Sequence, residues 1–226
     1  MKLNFRIPFL LFVLLFLGQY VFAQRIKGVV IGGMNLSQVD GDEIYGFKKV
    51  GLNMGAAAIM PFGKNFSMSI ETIFSQKGAQ QSDQYKTEDS LGNTLTGAYK
   101  IKLDYLEVPI LFHYTDQDRV TVGGGFSYGG LVNVKEWEHG NIVETTQLSS
   151  GVYSNSDINI IADLRFKLYK RLKFNIRYSY SIIKIRTREF DNFKGDTWER
   201  EQFNNVFSFR LYYIFNERQK VEPVKR

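Results

Sequence analysis

The chain has 226 residues, no cysteine, 15% aromatic residues and a formal charge of +6. Without cysteine there is neither a disulfide framework nor thiol chemistry, so stability must come from backbone pairing and side-chain packing. A modest positive excess spread over a mixed-sign chain gives little ground for nucleic-acid binding, and export from the cytoplasm would remove what remains.

The first residues, MKLNFRIPFLLFVLLFLGQYVFAQ, place Lys2 and Arg6 before an apolar run from Ile7 to Leu17 and end in Phe22 and Ala23. This is the charged, apolar, small-residue order of a secretory signal peptide, with cleavage expected after Ala23. A membrane anchor is the alternative, but it needs roughly 20 apolar residues and this run is shorter. No cysteine follows the cleavage point, which argues against a lipoprotein. Removal of residues 1–23 leaves 203 residues and a formal charge of +4, compatible with one domain. Mean hydropathy is −0.22, and no later segment has 18 consecutive apolar residues. A membrane β-barrel has this profile, because half of each strand faces a polar interior.

In chain order, Arg25 to Gln38 is rich in β-branched residues and glycine and predicts a first strand, followed by the long loop VDGDEIYGF. A second strand, Lys48 to Met60, stops at Pro61-Phe62-Gly63-Lys64-Asn65, where proline and glycine mark a tight connection. The third, Asn65 to Lys77, sets Phe66, Met68, Ile70, Thr72 and Phe74 against Ser67, Ser69, Glu71 and Ser75. Residues 78–97 have no apolar periodicity and predict a second long loop.

The fourth strand, Ala98 to Tyr114, changes frame: Ile101, Leu103 and Tyr105 stand opposite to the Leu106, Val108 and Ile110 set. Either a bulge lies near Tyr105, or the upper part projects beyond the bilayer, where the rule relaxes. Thr115 to Asp118 predicts a short turn. A glycine-rich fifth strand, Arg119 to Lys135, precedes a third long loop that runs to Asn155. The sixth strand, Asp157 to Tyr169, sets Ile158, Ile160, Ala162, Leu164, Phe166 and Leu168 against Asn159, Asp163, Arg165 and Lys167. After Lys170-Arg171, the seventh strand, Leu172 to Lys184, sets Phe174, Ile176, Tyr178, Tyr180 and Ile182 against Asn175, Arg177, Ser179 and Ser181. A charged fourth loop, 185–200, leads to an eighth strand, Glu201 to Phe215, with Phe207, Phe209, Leu211, Tyr213 and Phe215 on one face.

Eight strands joined alternately by long and short connections predict an all-β fold, an eight-stranded antiparallel transmembrane β-barrel of up-and-down order over residues 24–215. Closure is required because lipid cannot satisfy an open sheet edge. Short turns and both termini are expected in the periplasm, long loops outside, and residues 216–226 as a periplasmic tail. Phe62, Phe66, Phe112, Tyr114, Tyr169 and Phe215, near the short-turn ends, fit an interfacial girdle. A soluble eight-stranded barrel with its apolar face inside is the alternative.

Three stretches carry a family resemblance: GVVIGGMNLSQ, KKVGLNMGAAAIMPFGKNFSMSIETIFSQKGA and LDYLEVPILFHY, the most specific piece being Tyr105 to Pro109. The chain resembles the small PorT-like outer-membrane β-barrel proteins of Bacteroidetes over nearly its whole mature length. The resemblance implies a barrel in the outer membrane. The named PorT protein is associated with type IX secretion, a role that no motif here selects.

Glu71, Glu107, Asp163, Arg165, Arg177 and Arg210 are expected to point into the barrel. Buried charges must be paired, so these six predict one interior network, a structural plug or, alternatively, a narrow proton or ion path. Gly125-Phe126-Ser127-Tyr128-Gly129 matches the nucleophile-elbow pattern, but that motif needs a strand-to-helix turn. The dinucleotide fingerprint fails at Tyr128. His139, beside Glu138, is the candidate base for a surface hydrolase. His113 and His139, at unrelated heights, do not make a metal site. Asp40, Asp42 and Glu43 suggest a calcium loop without its ligand spacing. Lys184, Arg186 and Arg188 are candidate lipopolysaccharide contacts at the outer rim. No catalytic, metal or cofactor residue is assigned and no cofactor is expected.

The expected partners are outer-membrane lipid, lipopolysaccharide and the barrel-assembly machinery, with no nucleic acid. The favoured role is non-enzymatic, structural or surface-interacting. A secretion-associated barrel and a hydrolase with its site in the extracellular loops are the alternatives.

Overall fold

A computed structural model describes residues 26–88, 92–191 and 196–215. The expected signal peptide, 1–23, and the tail, 216–226, lie outside the described residues. Eight long strands form the body: β1 (Lys27–Asp40), β2 (Lys49–Phe62), β3 (Phe66–Lys77), β4 (Tyr99–Asp116), β5 (Val120–Glu138), β6 (Ser156–Tyr169), β7 (Leu172–Ser181) and β8 (Thr197–Ile214). Each pairs antiparallel with the next, and β8 returns to β1, with Val29 opposite Ile214 and Asp40 opposite Phe203. The sheet is therefore a closed barrel, so the long strands leave no open ladder to lipid.

Three connections are tight: Gly63–Asn65, Gln117–Arg119 and Lys170-Arg171. Gly63 takes φ of 74°, and Gln117, Asp118 and Lys170 also lie in the left-handed region, as reversals this short demand. Around them Phe66 packs against Phe62 and Tyr114, with ring centroids 6.2 and 5.3 Å apart. At the other end the connections are long and partly paired. Loop 2 holds a small ribbon, Thr87–Glu88 with Thr94–Leu95. Loop 4, expected as a long loop dense in both charge signs, contains the strand Arg186–Asp191, which pairs with Thr197–Gln202 at the top of β8.

Period-2 alternation decides which residues meet what. Val30, Met34, Val108, Ile110, Phe112, Phe126, Ile160, Leu168 and Leu211 are exposed on the outside, while Asn35, Asn53, Glu71, Asp163, Arg177 and Arg210 are buried inside. A water-soluble barrel would reverse this arrangement, since an apolar outer band in water would favour association.

The frame change in β4 resolves without a bulge in that strand. Tyr99, Ile101, Leu103, Tyr105, Glu107, Leu111 and His113 are all buried on the inner side, an alternation broken only at Asp104, which is buried as well. What inverts is chemistry: below Tyr105 the outside is apolar, whereas above it Lys100 and Lys102 stand on the outside, with Asp104 buried between Leu103 and Tyr105, and an apolar core fills the inside. Of the two expectations, the bulge near Tyr105 is observed, on the strand that faces it. The register shift sits on the facing strand, where Asp104 pairs with Asn133 but Tyr105 with Leu131, leaving Val132 as the extra residue of β5.

Candidate functional site

The lumen is stratified. Toward the short-turn end lies an apolar cluster of Val29, Ile31, Ala57, Ile59, Ile73, Tyr212 and Ile214. Beside it sits a five-membered charge cluster. The Arg177 guanidinium donates to both Glu71 oxygens at 2.9 and 3.0 Å, and through Nε to Asp163 at 2.8 Å. Arg165 donates to Asp163 at 2.8 Å and to Glu71 at 3.3 Å. Arg210 reaches Asp163 at 3.3 Å and Asn175 at 2.6 Å. Tyr212 donates its hydroxyl to Glu71 at 3.1 Å, while Arg165 lies 4.5 Å from the centroid of its ring. The side chains of Glu71, Asp163 and Arg210 have 0% exposure.

Glu107, expected in this cluster, is not part of it. It pairs with Lys77 at 2.6 Å, and Lys77 also donates to Asp157 at 2.9 Å and Asn159 at 3.1 Å. Ser181 and Asn204 donate to the Asp157 carboxylate, and Asn204 also meets the Tyr105 hydroxyl at 3.3 Å. Along β3 the two charged groups are separated by Ile73 and Ser75, and Ser75 belongs to an amide and hydroxyl set with Asn35, Asn53 and Ser208. Strand parity alone cannot show this division, because it gives the face a residue occupies and not its height in a tilted barrel.

The Tyr105-to-Pro109 stretch thereby acquires a physical role. Tyr105, Glu107 and Pro109 all face inward, two of them in the Lys77 cluster. Pro109 has no N–H, and the β3–β4 register runs to Ile70 opposite Ile110 and resumes only at Ile73 opposite Glu107.

Above the Lys77 cluster the barrel is capped by Val39, Ile44, Ala79, Tyr99, Ile101, Leu103, Tyr105, Leu131, Val134, Tyr153 and Ile185, gathered from three strands, β1, β4 and β5, and loops 1, 2, 3 and 4. A third charged group pins this cap. Arg186 donates to both Glu136 oxygens, at 3.3 and 3.0 Å, to the Tyr99 hydroxyl at 2.7 Å and to Gln202 at 2.6 Å. Tyr99 and Tyr153 both donate to Glu136. Burial would push the Glu136 carboxyl up, but the Arg186 guanidinium and the two hydroxyls outweigh it and hold the group below the ordinary carboxylate range.

Arg186 is thus a correction to the expected lipopolysaccharide contacts: it is 6% exposed and its donors are spent inside the cap. Lys184 and Arg188 do lie near the surface, paired with Glu201 and Glu138 at 2.9 Å each.

The remaining candidates separate in space. Ser127 is buried in the middle of β5, facing Pro109, with no turn or helix to expose it. Its glycine neighbours serve close packing: a Cβ on Gly125 would stand 2.0 Å from the Ile110 carbonyl oxygen. His139 accepts the backbone N–H groups of Thr96 and Gly97 at Nδ1, at 3.2 and 3.0 Å, so it tethers loop 2 to loop 3 and its Nδ1 is unavailable as a base. His113 lies inside the barrel, 3.5 Å from Asp163. Asp40, Asp42 and Glu43 point to different partners: Asn205, the Ile44 amide and Arg200. Among the described residues no group of three or more possible ligands could hold a metal ion.

Lys77 and Asp157 were legible, since each shares a strand face with Glu71 or Asp163. Glu136 was not, because Val132 reverses the parity of β5 below it.

A closed eight-stranded meander with an apolar exterior and an ionic interior defines the class: an integral barrel of the outer membrane. The chain belongs to the family described as outer membrane protein beta-barrel domain, whose model matches residues 22–186. Among solved structures it is similar to Ail, the attachment invasion locus protein of Yersinia pestis, at 16% identity and a TM-score of 0.49, over 84% of this chain and 98% of that one. OprG of Pseudomonas aeruginosa matches at 11% identity and 0.41, over 86% and 98%. Neisserial surface protein A matches at 9% and 0.41, over 84% and 96%. No curated protein matches the sequence.

Proposed function

We propose that this protein is a non-enzymatic outer-membrane barrel with a filled lumen, whose structural or surface-interaction role is carried by its long loops. The observation that supports this most is the absence of exposure at Glu71, Asp163 and Arg210: the interior is packed with paired charges and not open to water. Between them the two lumen clusters also balance. The lower one carries three arginines and two acids, net +1, and the upper one carries Lys77 with Glu107 and Asp157, net −1. A passing ion would have to break one of them. The loops, in contrast, are built into an ordered cap by the Arg186 group.

In this reading the short turns and both termini face the periplasm, residues 1–23 are removed on export, and lipid, lipopolysaccharide and the barrel-assembly machinery are the partners. Kinship with PorT-like barrels of Bacteroidetes fits the Tyr105-to-Pro109 stretch, whose inward residues help to plug the lumen. Planar-bilayer recordings test the filled lumen: no conductance steps above background are expected, and porin-like steps would overturn it. Protease applied to intact cells tests the orientation, with cleavage expected in the long loops.

A further inference from the structure

Immediately above the lipid-facing band, β4 and β5 present a distinct outer surface. Leu106, Val108 and Tyr128 are exposed below it; above them the cross-strand pairs are Lys102 with Lys135 and Lys100 with Trp137, over a buried Asp104 that pairs with Asn133. Two like charges directly opposite each other on one face destabilise a sheet unless something of the other sign stands between them. Asp104 answers Lys102 at 3.4 Å, and Lys100 lies over the Trp137 ring at 5.2 Å. Lys135 is exposed and joins no ion pair among the described residues.

At the same height β6 parts from β5: their pairing ends at Ser156 opposite Gly130, and loop 3 folds back against the bulged stretch. The gap is a cleft of about 930 Å³. Val132 and Leu148 form apolar wall, Asn133, Thr146 and Gln147 supply amides and a hydroxyl, and Lys135 supplies the cation. Glu144 is also on the wall and can accept from sugar hydroxyls, while the Glu136 carboxylate is held inside by Arg186.

We propose that this cleft, with Lys135 on its wall and Lys102 opposite it on β4, binds the phosphorylated sugar head group of a glycolipid of the outer leaflet. Three matching chemistries meet at one height. A phosphate needs the lysine pair, sugar hydroxyls and amides need the polar wall, and the first carbons of the acyl chains need Val132 at the top of the apolar band. The lipid-borne form is favoured over free phosphate because the cleft opens beside that band. The inference rests on the reading that the long loops stand outside the outer leaflet.

The test uses the full mature chain in phosphatidylcholine nanodiscs, titrated with diphosphorylated lipid A and followed by tryptophan fluorescence, Trp137 lying opposite Lys100. Saturable binding is expected, weakened about tenfold or more by removing the phosphates from lipid A or by the double variant Lys102→Gln/Lys135→Gln, with Lys64→Gln in the short turn at the opposite end unchanged. Gel mobility with and without heating shows that the variants are folded. Equal binding by the double variant or by dephosphorylated lipid A would overturn the proposal, as would displacement by inorganic phosphate at the same concentration. Loop cleavage on intact cells reports orientation separately: loops found in the periplasm would refute the topology whatever the titration shows.

Discussion

Glu71 and Glu107 are both inward carboxylates among cations, yet replacing each by glutamine is expected to have unequal consequences. In the lower cluster Glu71→Gln leaves Asp163 alone against Arg165, Arg177 and Arg210, raising the buried net charge from +1 to +2. Leaving a buried charge uncompensated costs about 3–5 kcal/mol. In the upper cluster Glu107→Gln leaves Lys77 with Asp157 at 2.9 Å, changing the net charge from −1 to zero, with Ser181 and Asn204 still donating to Asp157. That exchange weakens one charge-assisted hydrogen bond, about 1–2 kcal/mol. The assay is denaturant titration of the refolded barrel in lipid vesicles, read by tryptophan fluorescence and by the mobility of the folded form on gels. Against a total stability of about 5–15 kcal/mol, the first loss lowers the unfolding midpoint markedly and the second slightly. Adding Arg210→Gln to Glu71→Gln returns the cluster to +1 and should recover part of the loss. If Glu107→Gln costs as much as Glu71→Gln, local charge balance is not what holds the lumen together.

Three further outcomes are expected. Asp42 in loop 1 is buried, and burial pushes its carboxyl up to about 7, above the ordinary 3.8, against the opposing pull of the Ile44 amide and Arg186. The folded loop therefore keeps a proton that the opened loop releases, so its local stability is full below about pH 4 and falls as pH rises toward 7. Protease cleavage near the exposed Tyr45 should be faster at pH 8 than at pH 5.5 in the parent and independent of pH in Asp42→Asn, and equal slopes in both would refute the assignment. Gly125→Ala should lower the stability by about 1–3 kcal/mol or more, because its Cβ would lie 2.0 Å from the Ile110 carbonyl oxygen, whereas Gly130→Ala meets nothing within 4 Å and should fold normally. Arg186→Ala should open loops 3 and 4 to protease and leave the barrel's gel mobility unchanged, since Glu136, Tyr99 and Gln202 lose their common partner in the cap and no group of the lumen clusters touches it.

Most of the barrel's pattern was legible in the chain. The alternation from Phe66 to Ser75, or from Ile158 to Lys167, depends on neighbouring residues alone, and so does the choice of which face meets lipid. The long fourth loop was misread because the charges of Arg186–Asp191 and Thr197–Gln202 look solvated whether or not their backbones pair. Arg186 was misplaced for a related reason: an arginine above the lipid band has the same sequence signature whether it faces water or a buried glutamate.

The sequence by itself therefore determined the strand order, the inward and outward faces and the membrane class, because a period of two residues is a local property of an extended chain. Only the tertiary structure decided which inward charges share a height, since height follows from tilt and stagger summed around eight strands. It also decided the inversion above Tyr105 and the shift at Val132. One extra residue there turns Glu136 inward and Lys135 outward, and that choice belongs to the pairing of β5 with β4 and not to either strand alone.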